Sequence, residues 1–204
     1  MKAVLLAARP APDAGPDDLD TLAQAAALTA ALQELGHAVA RADFSLDLPA
    51  VATGLAQAAP DVVVNLVESV AGNARFIHLA PALLEDLGLP FTGSDQAAVL
   101  LSNHKLHTKR LLAPHKIPAP AWIDRAGLLR GAPIPAGPLI VKSVTEHAST
   151  GLDDDSVLTP ADAAELLAVL DRAAGRHGGE WFAEAYIPGR EFNIALLDAP
   201  DGPE

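Results

Sequence analysis

Short apolar runs alternate with longer amphipathic stretches through the first half of the chain, a rhythm that predicts alternating strands and helices. Ala3 to Ala8 is a continuous apolar run and is expected as the first strand. After a loop rich in Pro, Asp and Gly, the segment Asp18 to Leu35 carries Leu19, Leu22, Ala26, Leu28, Leu32 and Leu35 near helical spacing. Acidic residues crowd its start and Gly36 follows its end, as helix termini require. Ala38-Val-Ala40 then reads as a second strand, completing a β-α-β unit. A weaker helix over Pro49 to Ala58 leads into Val62-Val-Val-Asn-Leu66. Its β-branched residues and lack of alternation predict a strand buried on both faces of a parallel sheet.

Further on, a helix beginning near His78 to Ala80 ends at Leu87 with Gly88 as its cap. Phe91-Thr-Gly-Ser94 predicts a short strand and turn, with Ser94 capping a helix over Asp95 to Leu101. A second helix over His104 to Leu112 carries Lys105 and Lys109 at i and i+4. Like charges so placed repel by about a few tenths of a kcal/mol, so the pair is either solvated or served by an anion. Pro114, Pro118 and Pro120 break regular structure and divide the chain into residues 1–115 and 116–204. The second half predicts a short strand near Trp122, a Pro/Gly-rich connection and the strand Pro138-Leu-Ile-Val-Lys142. Thr159-Pro160 is expected to start a helix running to about Ala174. Trp181 to Ala185 and Glu191 to Leu197 read as strands joined through a turn at Pro188-Gly189, which would bring Glu184 near Glu191.

Composition narrows the function classes. The 204 residues are 50% hydrophobic and 20% charged, enough to bury a substantial core. With 14 basic against 26 acidic residues, the net charge of -12 opposes binding to nucleic acid or to an anionic membrane. An anionic ligand therefore needs a local positive site. There is no cysteine, hence no disulfide and no thiolate chemistry; Met1 to Ala8 is too short for a signal peptide, and no run approaches membrane-spanning length. These features set a cytoplasmic location as the expectation.

The candidate chemistry begins at Lys142, which a buried strand delivers to the mouth of a loop of small and polar residues, 143 to 151. A strand-end lysine is ordinarily a solvated edge charge, but this setting also suits phosphate. At the carboxyl ends of the parallel strands, Asn65, Glu68, Ser69, Gly72 and Asn73 lie where a ligand could sit. Asp153-Asp-Asp155 reads as a solvated acidic loop, and the seven histidines lack ligand spacing, so no metal site is assigned.

Several stretches carry a resemblance when taken in order. They are Val64-Asn-Leu-Val-Glu68, Pro81-Ala-Leu-Leu-Glu-Asp-Leu-Gly-Leu-Pro-Phe-Thr-Gly-Ser94, His104-Lys-Leu-His-Thr-Lys-Arg-Leu-Leu112, Ile117-Pro-Ala-Pro120, Pro138-Leu-Ile-Val-Lys142 and Glu184-Ala-Tyr-Ile-Pro-Gly-Arg-Glu-Phe192. From about Val62 to Leu197 the chain resembles the D-alanine–D-alanine ligase branch of the ATP-grasp superfamily. The resemblance implies an α/β fold, with a doubly wound, Rossmann-like parallel-sheet domain followed by an incomplete ATP-grasp α+β domain. It implies ATP and Mg2+ as cofactors and a small amino-acid or peptide substrate. Lys105 and Lys142 would meet the nucleotide phosphates, under a loop over residues 145 to 151 that contributes the Ser149 hydroxyl. The backbone of Ala185 and Ile187 would read the adenine edge with Glu184 near its amino group, Glu191 would accept from the ribose, and Ile140 and Ile187 would sandwich the base. Glu68 and Ser69 fall in the substrate region.

In that family ATP phosphorylates a carboxylate to an acyl phosphate, which an amine then attacks. The sequence departs from the pattern at Ala148, where the phosphate loop usually has glycine, and over Arg9 to Pro16, which lacks the expected glutamate. Glu68 and Ser69 stand where histidine and glycine are usual. The family's magnesium ligands and charge-steadying arginine would lie in a segment following Leu197, so the catalytic groups are unassigned. The expectation is an ATP-dependent carboxylate–amine ligase completed by a further segment or chain. The alternative is a non-catalytic nucleotide-binding module, or a unit whose bare faces a second copy covers.

Overall fold

The structure, a computed structural model, describes residues 1–9, 16–147, 156–192 and 194. Three strands, β1 (Lys2–Ala8), β2 (Ala38–Phe44) and β3 (Val62–Asn65), form a parallel sheet in the order β2-β1-β3. Helices α1 (Pro16–Glu34) and α2 (Leu48–Ala58) make the crossovers. β1 is the strand buried on both faces, with Ala3, Val4, Leu5 and Leu6 all inaccessible. Val4 and Leu6 join Phe44, Val51, Leu55, Val63 and Leu84 in one core. β3 differs from the expectation, since only Val63 is buried and Val62, Val64 and Asn65 are half-exposed. The reason is its place at the end of the ladder, where a single bridge from Val63 to Phe91 lies beyond it.

α1 also turns a different face to the sheet than its leucines suggest. Ala25 is its buried residue among those described, while Leu22, Leu28 and Leu35 are exposed. Small side chains let an alanine-rich helix approach closely, and that contact prevails over the leucine spacing. Beyond β3, a short 3-10 turn (Ala74–Phe76) precedes α3 (Leu79–Asp86), and Gly88 takes φ +63° to end it. α4 (Gln96–Asn103) is capped by Asp95, not Ser94, because the Asp95 carboxylate accepts from Ala98 N at 2.7 Å. α5 (Lys105–Leu112) is capped by His104.

The second sheet holds β4 (Trp122–Asp124), β5 (Leu139–Ser143), β6 (Val157–Leu158) and β7 (Trp181–Ala185), ordered β4-β7-β5-β6 and antiparallel throughout. Its Pro/Gly-rich connection contains α6 (Arg125–Leu129), unforeseen in the sequence, capped by Asp124 at 2.6 Å from Gly127 N. α7 (Ala163–His177) starts three residues later than the Thr159-Pro160 signal and runs past Ala174. Asp162 and Glu165 decide this, the first accepting from Glu165 N at 2.9 Å and the second from Ala161 N at 2.7 Å. Glu191 and Phe192 are exposed and not in a strand; Asn193 and residues 195–197 of that expected strand lie outside the described residues.

The pleat of this sheet sorts its side chains. Leu139, Val141, Trp181 and Ala183 pack with Leu166 and Leu170 of α7, whereas Phe182 packs on the opposite face with Leu106 of α5, Val144 and Trp122. Because β5 and β7 pair Ile140 with Glu184 and Lys142 with Phe182, all four side chains share the α5 face. Among the described residues no helix is long and apolar enough to cross a membrane.

Candidate functional site

The α5 face of the second sheet gathers three ammonium groups around one carboxylate. Glu184 enters from the middle strand, β7, with its side chain 9% exposed. Lys142 of β5 reaches its Oε1 at 2.8 Å and Lys109 of α5 reaches its Oε2 at 2.6 Å. Lys105, one helical turn before Lys109, donates to the Glu146 carbonyl at 2.6 Å. Lys142 and Lys105 feel one another's charge, so the sequence candidates Lys105, Lys142 and Glu184 lie in one cluster. Lys109 is the member that sequence reasoning left without a role, although its i+4 spacing from Lys105 was the available signal.

The electrostatics match this geometry. Burial pushes the Glu184 carboxyl up, but hydrogen bonds and charge from Lys109 and Lys142 outweigh burial and hold it below the usual carboxylate range. Burial and the neighbouring Lys142 push Lys105 down, opposed by Glu146 and Glu184. In a chain of net charge -12, three lysines face a single buried carboxylate here, so the local field favours an anion.

The other sequence candidates occupy varied positions. Ala185 ends β7 with its N–H donated to Ala121 O at 2.8 Å. Ile187 is 68% exposed just beyond, Ile140 is half-buried on the cluster face, and Glu191 is exposed. Ser149 lies outside the described residues, with the rest of 148–155. Glu68 is exposed after β3 and accepts from Thr21 Oγ1 at 3.0 Å; Ser69 is half-buried beside it. Asn65 and Asn73 serve their own loops, accepting from Val67 N and Arg75 N.

A tie through the buried Asn103 joins the two sheets' loops. Asn103 at the end of α4 donates to Ala74 O at 3.0 Å, and its Oδ1 meets His147 Nε2 at 2.6 Å. This brings the loop after β3 against the loop after β5, and a cavity of about 540 Å³ opens beside the junction, bordered by Asn73, Arg75, Asn103, His104 and Glu146. Burial and the Lys105 charge push His147 down, opposed by Glu146 and Glu68. Burial and the stacked His107 likewise push His104 down, and its Nδ1 accepts from His107 N at 3.3 Å.

These shifts predict acid sensitivity. His104 and His147 bind fewer protons folded than unfolded, so stability is full above about pH 6.5 and falls as the pH drops through that value. Glu184, a carboxyl with a lowered pKa, adds a second loss below about pH 4.3, the unfolded value. Thermal melts from neutral to mildly acidic pH should show a falling midpoint, flattened in its upper part by His147→Gln; a flat profile in the parent chain contradicts the assignment.

Comparison with solved structures places this pair of sheets. The crystal structure of the Bacillus anthracis D-alanine–D-alanine ligase complexed with ATP aligns over 93% of this chain and 60% of its own, with a TM-score of 0.66 at 17% identity. D-alanyl-alanine synthetase A from Vibrio cholerae aligns over 92% and 60%, with a TM-score of 0.61 at 14% identity. The architecture is a partial ATP-grasp fold. No family model matches the chain. It is 31% identical over 169 residues to the D-alanine–D-alanine ligase of Novosphingobium aromaticivorans, covering 82% of this chain and 51% of the relative. It is 34% identical over 186 residues to that of Caulobacter sp. (strain K31), covering 90% and 54%. The chain is similar in sequence to D-alanine–D-alanine ligases and spans about half the length of the curated relatives it matches.

Proposed function

We propose that this chain forms the nucleotide-binding part of an ATP-dependent carboxylate–amine ligase of the D-alanine–D-alanine ligase type, acting through an acyl phosphate. The observation that carries the reading is the cluster of Lys105 from α5, Lys142 from β5 and Glu184 from β7, which folding brings together on one side of the sheet.

In this reading Lys105 and Lys142 hold the phosphates as compact charges, joined by the Ser149 hydroxyl. The Ala185 carbonyl and the Ile187 backbone meet the adenine edge, Ile140 and Ile187 flank the base, and Glu191 accepts from the ribose. Glu68 and Ser69 hold the amino-acid substrate. Among the described residues no group of three or more His, Asp or Glu side chains could hold a metal, so the phosphate contacts assigned here are those of the lysines. Magnesium would supply charge neutralisation at the transferred group when bound with the nucleotide. The proposed units are residues 1–115 and 116–204, with α5 of the first packed on the sheet of the second.

Calorimetric titration with ATP tests the reading. Lys142→Ala is expected to weaken ATP binding about tenfold or more, the value of one charge-assisted hydrogen bond, with an unchanged circular dichroism spectrum. Unchanged affinity would sink the phosphate role. ATP binding without phosphate release in the presence of magnesium and amino acids would exclude catalysis by this chain alone.

A further inference from the structure

We propose that Lys109 is a positioning residue for nucleotide binding: it is the standing counter-ion of Glu184, and it frees Lys142 to exchange that carboxylate for a phosphate. The inference rests on the nucleotide reading above and concerns a residue that reading does not use.

The two lysines on Glu184 are not equivalent. Lys109 is 10% exposed and also lies 3.4 Å from Pro120 O, so it is enclosed between α5 and the segment leading to β4. Lys142 is 32% exposed, so it is the partner a ligand can reach. Each takes a different carboxylate oxygen, Oε2 for Lys109 and Oε1 for Lys142, so one can leave without disturbing the other. A phosphate that draws Lys142 away would leave Glu184 buried with a single counter-ion. With Lys109 present that carboxylate stays paired and ionised; without it, burial favours the protonated form.

Among the described residues, the charged groups facing Glu184 are Lys109 and Lys105 from α5 and Lys142 from β5, while β4 contributes the uncharged Trp122 opposite it. Glu146 acts on Lys105 from the loop after β5. Among the described residues, removing Lys109 therefore leaves Glu184 with only the Lys105 charge nearby once Lys142 has moved, and nucleotide binding is then expected to bring a proton with it.

The test is ATP titration of the full chain and of Lys109→Met, in buffers of different ionisation enthalpy, at mildly acidic and mildly alkaline pH. The parent chain is expected to bind ATP with little proton uptake. Lys109→Met is expected to bind about tenfold more weakly at alkaline pH, to recover as the pH falls, and to take up a substantial fraction of a proton on binding. If Lys109→Met does not fold, Lys109→Gln, which keeps a donor without the charge, is expected to give the same result. An affinity loss that is equal at every pH and free of proton uptake would make Lys109 merely structural and overturn the proposal, as would parental behaviour. Failure of the parent chain to bind ATP would instead overturn the nucleotide reading, and the proposal with it.

Discussion

Glu184→Ala is expected to destabilise the fold by about 3 to 5 kcal/mol, the usual cost of breaking a buried ion pair from one side. The substitution leaves Lys109 enclosed without its carboxylate and sets it against Lys142 and Lys105 with no intervening anion. Because Glu184 stands on β7, between β4 and β5, the loss falls on the middle of the sheet. Urea denaturation at neutral pH measures it. Inorganic tripolyphosphate should restore part of the lost stability in the variant, since it supplies the negative charge the cluster lacks. A change within about 0.5 kcal/mol, typical of surface substitutions, would mean that the cluster does not hold this part of the sheet together.

Phe182→Ala should cost a comparable amount, about 3 to 5 kcal/mol, through the cavity it leaves. Phe182 is fully buried where Leu106 of α5, Val144 and Trp122 meet the sheet. The same contact docks the helix that carries Lys105 and Lys109, so the variant should lose ATP affinity even under conditions where it remains folded. Hydrogen exchange should rise along α5 before it rises in β1 of the parallel sheet, whose core is separate. Phe192→Ala is the control: that ring is 68% exposed, and its removal should change stability by no more than about 0.5 kcal/mol. Equal effects of the two substitutions would contradict the packing described.

Much of the architecture was legible in local chemistry. The apolar runs at Ala3 to Ala8, Leu139 to Val141 and Trp181 to Ala185 are strands, and the helix over His104 to Leu112 falls within a residue of its expected start. The departures occur where two local signals compete. Thr159-Pro160 is a good helix start, but Asp162 with Glu165 makes a reciprocal cap and takes the role. Ser94 is a good cap, but Asp95 next to it accepts the bond. The leucines of α1 have helical spacing, yet Ala25 is what the sheet covers, because closeness of approach is a property of both surfaces.

The candidate site divides in the same way. Lys142 was legible as an ammonium group at a strand end, and Lys105 and Glu184 through the resemblance that their stretches carry. What those charges do to one another was not. The sequence alone determined that Lys105 and Lys109 share a helix face; only the tertiary structure decided that Lys109 meets Glu184 and that Lys142 shares it. The physical reason is that helix periodicity acts over a few residues, whereas an ion pair depends on which strands pair, in what register, and which helix packs on the resulting face. The register that sets Ile140 opposite Glu184 and Lys142 opposite Phe182 puts these groups on one side of the sheet, and the packing of Leu106 on Phe182 brings Lys109 down onto them.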